Sequence, residues 1–264
     1  MDTSFTKFEQ SRRSYQQHGY ALIPNFLSAA ESAQLLTVVS KFHRAWCKDN
    51  QSFYQDRAVN SADLTAKRYL NDEERLCLFK TVSSDSLVKR VAPLFVEGFG
   101  FMNTQLFFDP YKPTRKNYWH RDPQWHLSLE QQQTSLSQDT ILHCRIALSP
   151  DPGVEVIPGS HRKWDTLSQL DIRLGNNGRE VHEDINEGLR LPLQPGDLLI
   201  FSGNMIHRGH YGQDRMALDI MFCDNKPQLL QWVNPDCLPQ KQMLSQLDNP
   251  EVFTTSAPFA KRKE

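Results

Sequence analysis

The chain has 264 residues, of which 39% are hydrophobic and 23% are charged. Lys and Arg number 30 and Asp and Glu number 31, so the formal net charge is −1. This balance is typical of a globular protein and argues against a general nucleic-acid binder or a polybasic membrane-surface protein, because both need a basic excess. No run of about 18 apolar residues predicts a membrane-spanning helix. We therefore expect neither a nucleic-acid nor a membrane partner, and the sequence predicts no oligomeric state.

The cysteines bear on the cellular compartment. There are five of them, an odd number, and no two form a C-x-x-C pair. This pattern predicts free thiols rather than a disulfide framework or a cysteine zinc site. The start, Met1–Phe5, has no basic segment followed by an apolar run, so it predicts no secretory signal. We expect a cytoplasmic protein.

The first 98 residues are predicted to be mostly helical support. Gly19 is placed to end a first helix, and a short strand interrupted by Pro24 follows it. Ser28 and Glu31 have the spacing of a capping box, which predicts the start of a second helix. Its apolar residues recur at helical spacing and predict a buried stripe. A surface loop is expected over 49–70 and a further helix over 84–97.

From residue 99 the pattern changes to short apolar runs separated by Pro, Gly and Asp. Strands are predicted over 100–109, 141–149, 153–157, 189–193, 197–201, 215–223 and 228–233. Several short strands with turn signals between them predict a sandwich or jelly roll. A polar inserted loop is expected over 165–188 and an irregular tail over 234–264. The predicted fold class is α+β with a mainly β jelly-roll core over 99–233, flanked by N-terminal helices within one domain, 1–264.

The segment most informative about chemistry contains His120 and Asp122, two residues apart. On an extended backbone such residues project to the same face, so both side chains could reach one ion. His207, just past an apolar strand, is the best candidate for a third ligand. Two histidines and a carboxylate form the facial triad of non-haem Fe(II) oxygenases. The triad leaves two positions for a bidentate 2-oxo acid and one for O₂.

Other polar and aromatic residues are candidates for the surrounding site. Arg215 begins an apolar strand and could hold a carboxylate through its planar guanidinium, with Arg208 and His210 as weaker alternatives. Polar residues that alternate along two strands could face the co-substrate or the substrate, although an outward solvated face is equally consistent with the alternation. The candidate co-substrate residues beside Arg215 are Asn103 and Gln105, and the candidate substrate residues are Trp125, His126 and Arg145.

The chain resembles the phytanoyl-CoA dioxygenase family of Fe(II)- and 2-oxoglutarate-dependent oxygenases. The matching motifs cover most of residues 17–223, in the order of the family: Gly19-Tyr20, Phe26-Leu27-Ser28, Trp119-His120-Arg121-Asp122, Ala147-Leu148, Val156–Arg162, Pro195-Gly196-Asp197, His207 and Arg215. The resemblance implies a double-stranded β-helix core with helices outside one sheet. It also implies that His120, Asp122 and His207 bind iron and that Arg215 binds 2-oxoglutarate.

The function implied is hydroxylation of an unactivated C–H bond in a small soluble metabolite, with release of succinate and CO₂. The carboxylate at Asp122 favours hydroxylation over halogenation, because related halogenases have a small residue there. Family precedent also includes carrier-bound acyl substrates, but no basic cluster in this sequence requires one. Two alternatives remain open at this stage: a jelly-roll protein that binds a metal or ligand without turnover, and a cupin-like metal enzyme that uses no 2-oxo acid.

Overall fold

The computed structural model describes the backbone of residues 3–260 and the side chains from residue 8 onward. The first two residues and Lys261–Glu264 lie outside the described residues. Part of the start that was considered for a secretory signal and the end of the expected irregular tail fall on these residues. No helix in the described part is both long and apolar enough to span a bilayer.

The N-terminal region alternates helices with two short strands. In chain order it contains α1 (Thr3–His18), β1 (Tyr20–Ile23), α2 (Ala29–Asp49), α3 (Gln51–Asp56), β2 (Asn60–Ala62), α4 (Asp72–Val82) and α5 (Asp85–Val91). The capping box predicted at Ser28 and Glu31 is confirmed, and the apolar stripe of α2 is buried as expected. The helix α2 therefore begins and packs where its sequence signals predict.

The remaining elements form the β core and its connections. They are β3 (Phe99–Phe108), α6 (Leu129–Gln138), β4 (Ile141–Ala147), β5 (Asp151–Val156), α7 (Leu167–Leu174), β6 (Leu189–Leu193), β7 (Leu198–Ser202), β8 (His207–Gly209), β9 (Met216–Asp224), α8 (Pro227–Leu230), α9 (Lys241–Leu244) and α10 (Glu251–Thr254). Short 3₁₀ turns, including Asp122–Trp125, join several of them.

The strands form two antiparallel sheets. The large sheet has six strands in the order β1-β7-β4-β9-β3-β2, and the small sheet has three in the order β6-β5-β8. Neighbours in the large sheet come from distant parts of the chain; for example, Tyr20 of β1 pairs with Phe201 of β7. The N-terminal and C-terminal halves are therefore joined in one sheet.

Three layers result from this arrangement. The largest apolar cluster lies between the N-terminal helices and the outer face of the large sheet, where Phe42 of α2 is buried together with Ile146 of β4 and Ile220 of β9. A smaller cluster, including Val154 and Leu199, packs between the two sheets. Since β4 and β9 are covered on both faces, they are buried along almost their whole length. The polar side chains on their inner face are consequently removed from bulk water.

Gly19 joins α1 to β1 at a position that only glycine tolerates. Its φ is +85°, in the left-handed region, and its N–H bonds to the carbonyl of Tyr15 at the end of the helix. A Cβ at this position would lie 2.6 Å from Nδ1 of His161, so the close approach excludes a side chain as well. The helix stop predicted at Gly19 is confirmed.

Several sequence-based expectations about local structure are wrong. The loop expected over 49–70 contains α3 and the edge strand β2, and the polar loop expected over 165–188 contains α7. The strand predicted over 228–233 is instead the helix α8 and the turn after it. The expected irregular tail contains α9 and α10, whose Met243 and Phe253 are buried in the core. These elements are short, so their burial against the rest of the fold decides their conformation.

Candidate metal centre and cavity

The backbone brings the two predicted histidine ligands together. His120 and His207 form an isolated antiparallel bridge in which each N–H donates to the carbonyl of the other at 2.9 Å. Their imidazole centroids are 4.2 Å apart. His120 ends an irregular segment, and His207 begins β8. Pairing across this bridge therefore fixes the two side chains on one side of the small sheet.

The ring orientation of both histidines follows from bonds to nearby carbonyls. Nδ1 of His120 lies 3.2 Å from the carbonyl oxygen of Tyr118, and Nδ1 of His207 lies 3.0 Å from that of Met205. A carbonyl only accepts, so each Nδ1 must carry the proton. The Nε2 lone pairs of both rings are then free to bind a metal. This arrangement is the usual support for metal-ligating histidines.

Asp122 completes the set from the start of a 3₁₀ turn. Its N–H donates to the carbonyl of Gly203 at 3.0 Å, which ties it to the loop before β8. Its Oδ1 lies 3.7 Å from Nε2 of His120 and 3.6 Å from Nε2 of His207. Ligand bonds to a transition metal are about 2 Å long, so two atoms that share an ion lie within roughly 4 Å of each other. Both distances from Oδ1 of Asp122 meet this limit, and all three ligand atoms lie within 4.8 Å of one another, so these residues could hold a metal ion.

A buried polar chain supports Asp122 from the large sheet. Nε2 of His143 lies 2.6 Å from Oδ2 of Asp122, and Nδ1 of the same ring lies 3.1 Å from Oδ1 of Asp219. Nε and Nη2 of Arg145 both lie 3.2 Å from the other oxygen of Asp219. Burial alone would lower the pKa of His143, but the two carboxylates outweigh burial and raise it to about 10. His143 therefore donates to both carboxylates.

The ionisation of the triad suits metal binding. Burial lowers the pKa of His120, and burial followed by the charge of the neighbouring histidines lowers that of His207 to about 3. Burial would raise the pKa of Asp122, yet the surrounding histidines, His143 foremost, hold it well below its usual range. Neutral imidazoles and an ionised carboxylate are the forms that bind a metal.

Arg121, between two of the ligands, points away from them and fixes their segment. Its side chain is buried, and its guanidinium bonds to the carboxylate of Asp165 at 2.6 and 2.9 Å. It also donates to the carbonyls of Ser160, Lys163 and Asn204. Asn204 precedes β8 by three residues, so one side chain links the segment of His120 and Asp122 to that of His207.

A cavity of about 610 Å³ opens beside the triad. Arg215, Asn103 and Gln105 all line this cavity. The sequence predicted that they belong to one site, and their roles in binding the co-substrate stay predictions. The guanidinium of Arg215 donates to the carbonyl of His210 at 2.6 Å and to that of Phe108 at 3.0 Å. Oδ1 of Asn103 accepts from the N–H of Thr104 at 2.7 Å.

The alternatives to Arg215 lie elsewhere. Arg208 bonds to Glu155 at 2.7 Å and to Asp184 at 2.6 Å, and its guanidinium carbon lies 4.4 Å from the centre of the Trp119 ring. Nε2 of His210 lies 2.9 Å from the same Glu155 carboxylate. Both side chains are therefore engaged away from the cavity, which leaves Arg215 as the arginine of this group that lines it.

The predicted substrate residues divide between two parts of the cavity wall. Trp125 and His126 lie at its mouth together with Trp232, and we call these three residues the aromatic rim. His126 stacks on Trp232 with the ring centroids 5.2 Å apart, while Trp125 is 57% and Trp232 47% exposed. Arg145, by contrast, lies against Phe107 on the sheet wall, with its guanidinium carbon 4.0 Å from the ring centre.

Sequence reasoning missed Asp219 as a site residue. It gave His143 no role beyond that of a polar residue that alternates with Arg145 along one strand. Asp219 and His143 are almost completely buried, and the pairing of β4 with β9 makes them neighbours. A signal was present, because an aspartate in the otherwise apolar run Met216–Cys223 implies a buried charge that needs a partner. The partner could not be named without the strand register.

Comparison with known families bears on this site. The model of the family described as Phytanoyl-CoA dioxygenase (PhyH) matches residues 15–217, most of the chain. The chain belongs to the PhyH family. The resemblance seen in the sequence is therefore confirmed, and the match includes the triad and Arg215. No curated protein matches the sequence closely enough to be a relative.

Several solved structures share the fold of this chain. EctD from S. alaskensis with 2-oxoglutarate and 5-hydroxyectoine has a TM-score of 0.59 at 16% identity, covering 81% of this chain and 75% of that one. The α-ketoglutarate-dependent epimerase SnoN from nogalamycin biosynthesis has a TM-score of 0.53 at 16% identity, covering 83% and 82%. HygX from Streptomyces hygroscopicus, with nickel and 2-oxoglutarate, has 0.56 at 13%, covering 81% and 86%.

Proposed function

We propose that this PhyH-family protein is an Fe(II)- and 2-oxoglutarate-dependent dioxygenase. The observation that carries the proposal is the convergence of two imidazole Nε2 atoms and one carboxylate oxygen beside a cavity that also contains Arg215. The proposed reaction hydroxylates an unactivated C–H bond of a small molecule and releases succinate and CO₂. We also propose that the chain is one domain and that the two sheets are the halves of the double-stranded β-helix expected from the sequence.

His120, Asp122 and His207 would hold the iron. Oδ2 of Asp122 accepts from His143 at 2.6 Å, so the carboxylate offers the metal its Oδ1 alone. Three protein ligands from these residues would leave room on the metal for a 2-oxo acid and O₂. Bound Fe(II) and 2-oxoglutarate supply the oxidising chemistry, whereas the protein supplies orientation and a site that excludes water.

Arg215 would anchor the co-substrate at the end of the cavity away from the metal. Its side chain is almost completely buried, and desolvation makes a buried guanidinium a strong partner for a carboxylate. The amide side chains of Asn103 and Gln105 line the same cavity and offer uncharged donors and acceptors. We propose that these three residues bind 2-oxoglutarate.

The substrate would enter across the aromatic rim. Exposed tryptophans at a cavity mouth provide flat, apolar contact surfaces that also carry a hydrogen-bond donor. Apolar side chains, including Met102, Ile141 and Leu229, continue inward from the rim. The cavity volume lies in the range of sites that accept whole small molecules, which leaves room for a substrate beside the co-substrate.

Charge indicates what kind of substrate this mouth accepts. Among the described residues that line the cavity, Arg145 and Arg215 are the lysine or arginine side chains, and both lie by Phe107 rather than at the rim. The carboxylate of Asp139, which also lines the cavity, pairs with Lys226 at 3.1 Å, and Lys226 is shared with Asp224 at 3.4 Å. We therefore propose an uncharged substrate and not an acyl carrier rich in phosphate.

The outcome of oxidation and the location are also proposals. The ionised carboxylate at Asp122 occupies a metal position that would otherwise be open to a halide, which supports hydroxylation. The structural neighbours include an epimerase and a carbocyclase, so the product has to be identified directly. All five cysteines are free thiols, which supports a reducing compartment such as the cytoplasm.

The experiment that tests the function is an anaerobic titration of the protein with Fe(II) and then 2-oxoglutarate, followed by the visible charge-transfer band of the chelate. We expect the band in the wild type and its loss in His207→Ala, because two ligands remain. In Arg215→Met the band should need more 2-oxoglutarate although iron still binds. Succinate release and mass analysis of a turned-over substrate, with one added oxygen atom, would establish hydroxylation.

The same titration separates the alternatives. Iron bound without a band would favour a cupin-like enzyme or a binding protein that uses no 2-oxo acid. A band with full intensity in His207→Ala would contradict the proposed ligand set. A band without succinate release in the presence of O₂ and candidate substrates would leave a 2-oxoglutarate-binding protein instead of an enzyme.

A further inference from the structure

Arg145 is a buried cation with one unused donor nitrogen. It lies opposite Asp219 in the pairing of β4 with β9, and only 3% of its surface is exposed. Nε and Nη2 both lie 3.2 Å from one oxygen of Asp219. Nη1 is buried and has no hydrogen-bond partner among the residues that the structure describes. The residue nevertheless lines the cavity beside the triad.

Other buried arginines of the fold are more fully engaged: Nη2 of Arg173, which also lacks a well-aligned hydrogen bond, still lies 2.7 Å from an oxygen of Asp165. Arg121 donates from Nε and from both Nη atoms to carbonyls and to Asp165. Arg208 likewise uses all three nitrogens, on Glu155, Asp184 and the carbonyl of His182. Leaving a buried donor unpaired is unfavourable, and more so for a charged group. An unpaired guanidinium nitrogen on a side chain that lines a cavity therefore indicates a partner that is not part of the chain.

The position of Arg145 indicates what that partner is. Its guanidinium carbon lies 4.0 Å from the centre of the Phe107 ring, and that of Arg215 lies 5.9 Å from the same ring centre. Two buried cations against one aromatic ring repel each other unless an anion neutralises them. The carboxylate of Asp219 is shared between Arg145 and His143. The carboxylate of Asp109 lies 3.7 Å from Nε of Arg215, whose guanidinium nitrogens bond to backbone carbonyls instead. This end of the cavity therefore favours a negatively charged group.

We propose that Arg145 is a second anchor for the co-substrate: its Nη1 donates to the 2-oxoglutarate carboxylate that Arg215 also holds. This inference rests on the function proposed above and changes the role predicted from the sequence, which assigned Arg145 to the substrate. The fixed ion pair with Asp219 orients the guanidinium before the ligand arrives, so little side-chain entropy is lost on binding.

The test compares two 2-oxo acids that differ at the end of interest. Both acids have the 2-oxo group and the adjacent carboxylate that can chelate a metal. 2-Oxoglutarate also has a distal carboxylate, which pyruvate lacks. We would measure their dissociation constants from the anaerobic charge-transfer band in the wild type, Arg145→Met and Arg145→Lys. The lysine variant retains the charge and can still pair with Asp219, so it covers the case in which the methionine variant fails to fold. Gln228→Ala, at the mouth of the same cavity, is the control.

We expect both Arg145 variants to weaken 2-oxoglutarate binding about 10- to 100-fold, as for a lost hydrogen bond to a charged group, and to leave pyruvate binding unchanged. Gln228→Ala should change neither constant. Unchanged 2-oxoglutarate affinity in both variants would overturn the proposal. Equal weakening for pyruvate would also overturn it, because the residue would then act on the metal end through Asp219 and His143.

A second measurement needs no metal. Calorimetric titration of the metal-free protein with glutarate, which has the distal carboxylate but no 2-oxo group, should give weaker binding in Arg145→Lys and Arg215→Met than in the wild type. Equal glutarate affinity in the wild type and Arg145→Lys would contradict the proposal. A wild-type protein that forms no charge-transfer band would instead refute the proposed function, so the two failures are distinguishable.

Discussion

Nε2 of His143 lies 2.6 Å from Oδ2 of Asp122 and turns the other oxygen of that carboxylate toward the two histidine ligands. Two further contacts fix the ring of His143. Its Nδ1 bonds to Asp219, and the ring stacks on Phe201 with the centroids 4.7 Å apart. The metal ligand is thus oriented by a residue on the large sheet, whereas its backbone belongs to the segment that pairs with the small sheet.

Replacing His143 should weaken the metal site without removing a ligand. His143→Phe keeps the stacking on Phe201 but removes the donor to Asp122, so we expect metal affinity to fall about 10- to 100-fold. His143→Gln retains one donor and should lose less. Calorimetry with Co(II), which is stable in air, measures both variants. Equal affinity in the wild type and His143→Phe would show that Asp122 is oriented by its backbone alone.

Gly203 is predicted to be essential to the metal site for a steric reason. A Cβ there would lie 2.6 Å from Oδ2 of Asp122, so Gly203→Ala must displace the carboxylate. We expect loss of Co(II) binding in a protein that still folds. Gly178→Ala is the control: it has no atom within 4 Å of the added carbon, and its φ of +77° predicts a cost in stability only. Normal metal affinity in Gly203→Ala would contradict the assigned position of Asp122.

Arg121 should contribute mainly to stability. Without it the carboxylate of Asp165, whose side chain is fully buried, keeps only Arg173 as its arginine partner. Three backbone carbonyls also lose their hydrogen-bond donor. Breaking a buried charge pair costs about 3–5 kcal/mol, so Arg121→Met should lower the free energy of unfolding by that order. Denaturant unfolding checks this, with the exposed Arg68→Met, whose pair with Asp49 should contribute about 0–1 kcal/mol, as the control. Similar losses in the two variants would contradict the argument.

His161 predicts a dependence of stability on acid pH. Burial, followed by the charges of Arg162, Arg121 and His18, lowers its pKa to about 4 in the folded protein, against 6.5 for a free histidine. Between these values the unfolded chain binds the proton and the folded one does not, so folding is weakened as the pH falls from 6.5 to 4. His161→Gln should reduce the dependence of the free energy of unfolding on pH in this range. The measurement is the difference in that free energy between the variant and the wild type at each pH. A difference that stays constant with pH would refute the assignment.

The grouping of His120, Asp122 and His207 could be predicted from the sequence because its signal is local. His120 and Asp122 are two residues apart, and His207 follows a strand with a clear turn before it. The helix α2 was equally predictable, since its cap and its apolar period agree. In each case the chemistry or the conformation depends on residues close together in the chain.

What the sequence did not reveal depends on strand register and on tertiary burial. The row formed by Gln105, Asp219 and Arg145 exists only because β9 pairs with β3 on one side and β4 on the other. The face that each alternating strand turns inward was therefore left open, and the substrate role predicted for Arg145 differs from the co-substrate role that we propose. The short helices α8 to α10 carry too few residues for a periodic signal, and their packing against the core determines them.

The pairing of β1 with β7 has a consequence for how the protein is made. Tyr20 finds its partner Phe201 only after most of the chain has been synthesised. Ribosomes add about 5–20 residues per second, so β1 waits roughly 10–40 s for β7 to emerge. Throughout that interval the strand exposes unpaired backbone groups and an apolar edge. Until the sheet closes, the nascent chain is therefore exposed to the unwanted strand pairing that unpaired edges favour.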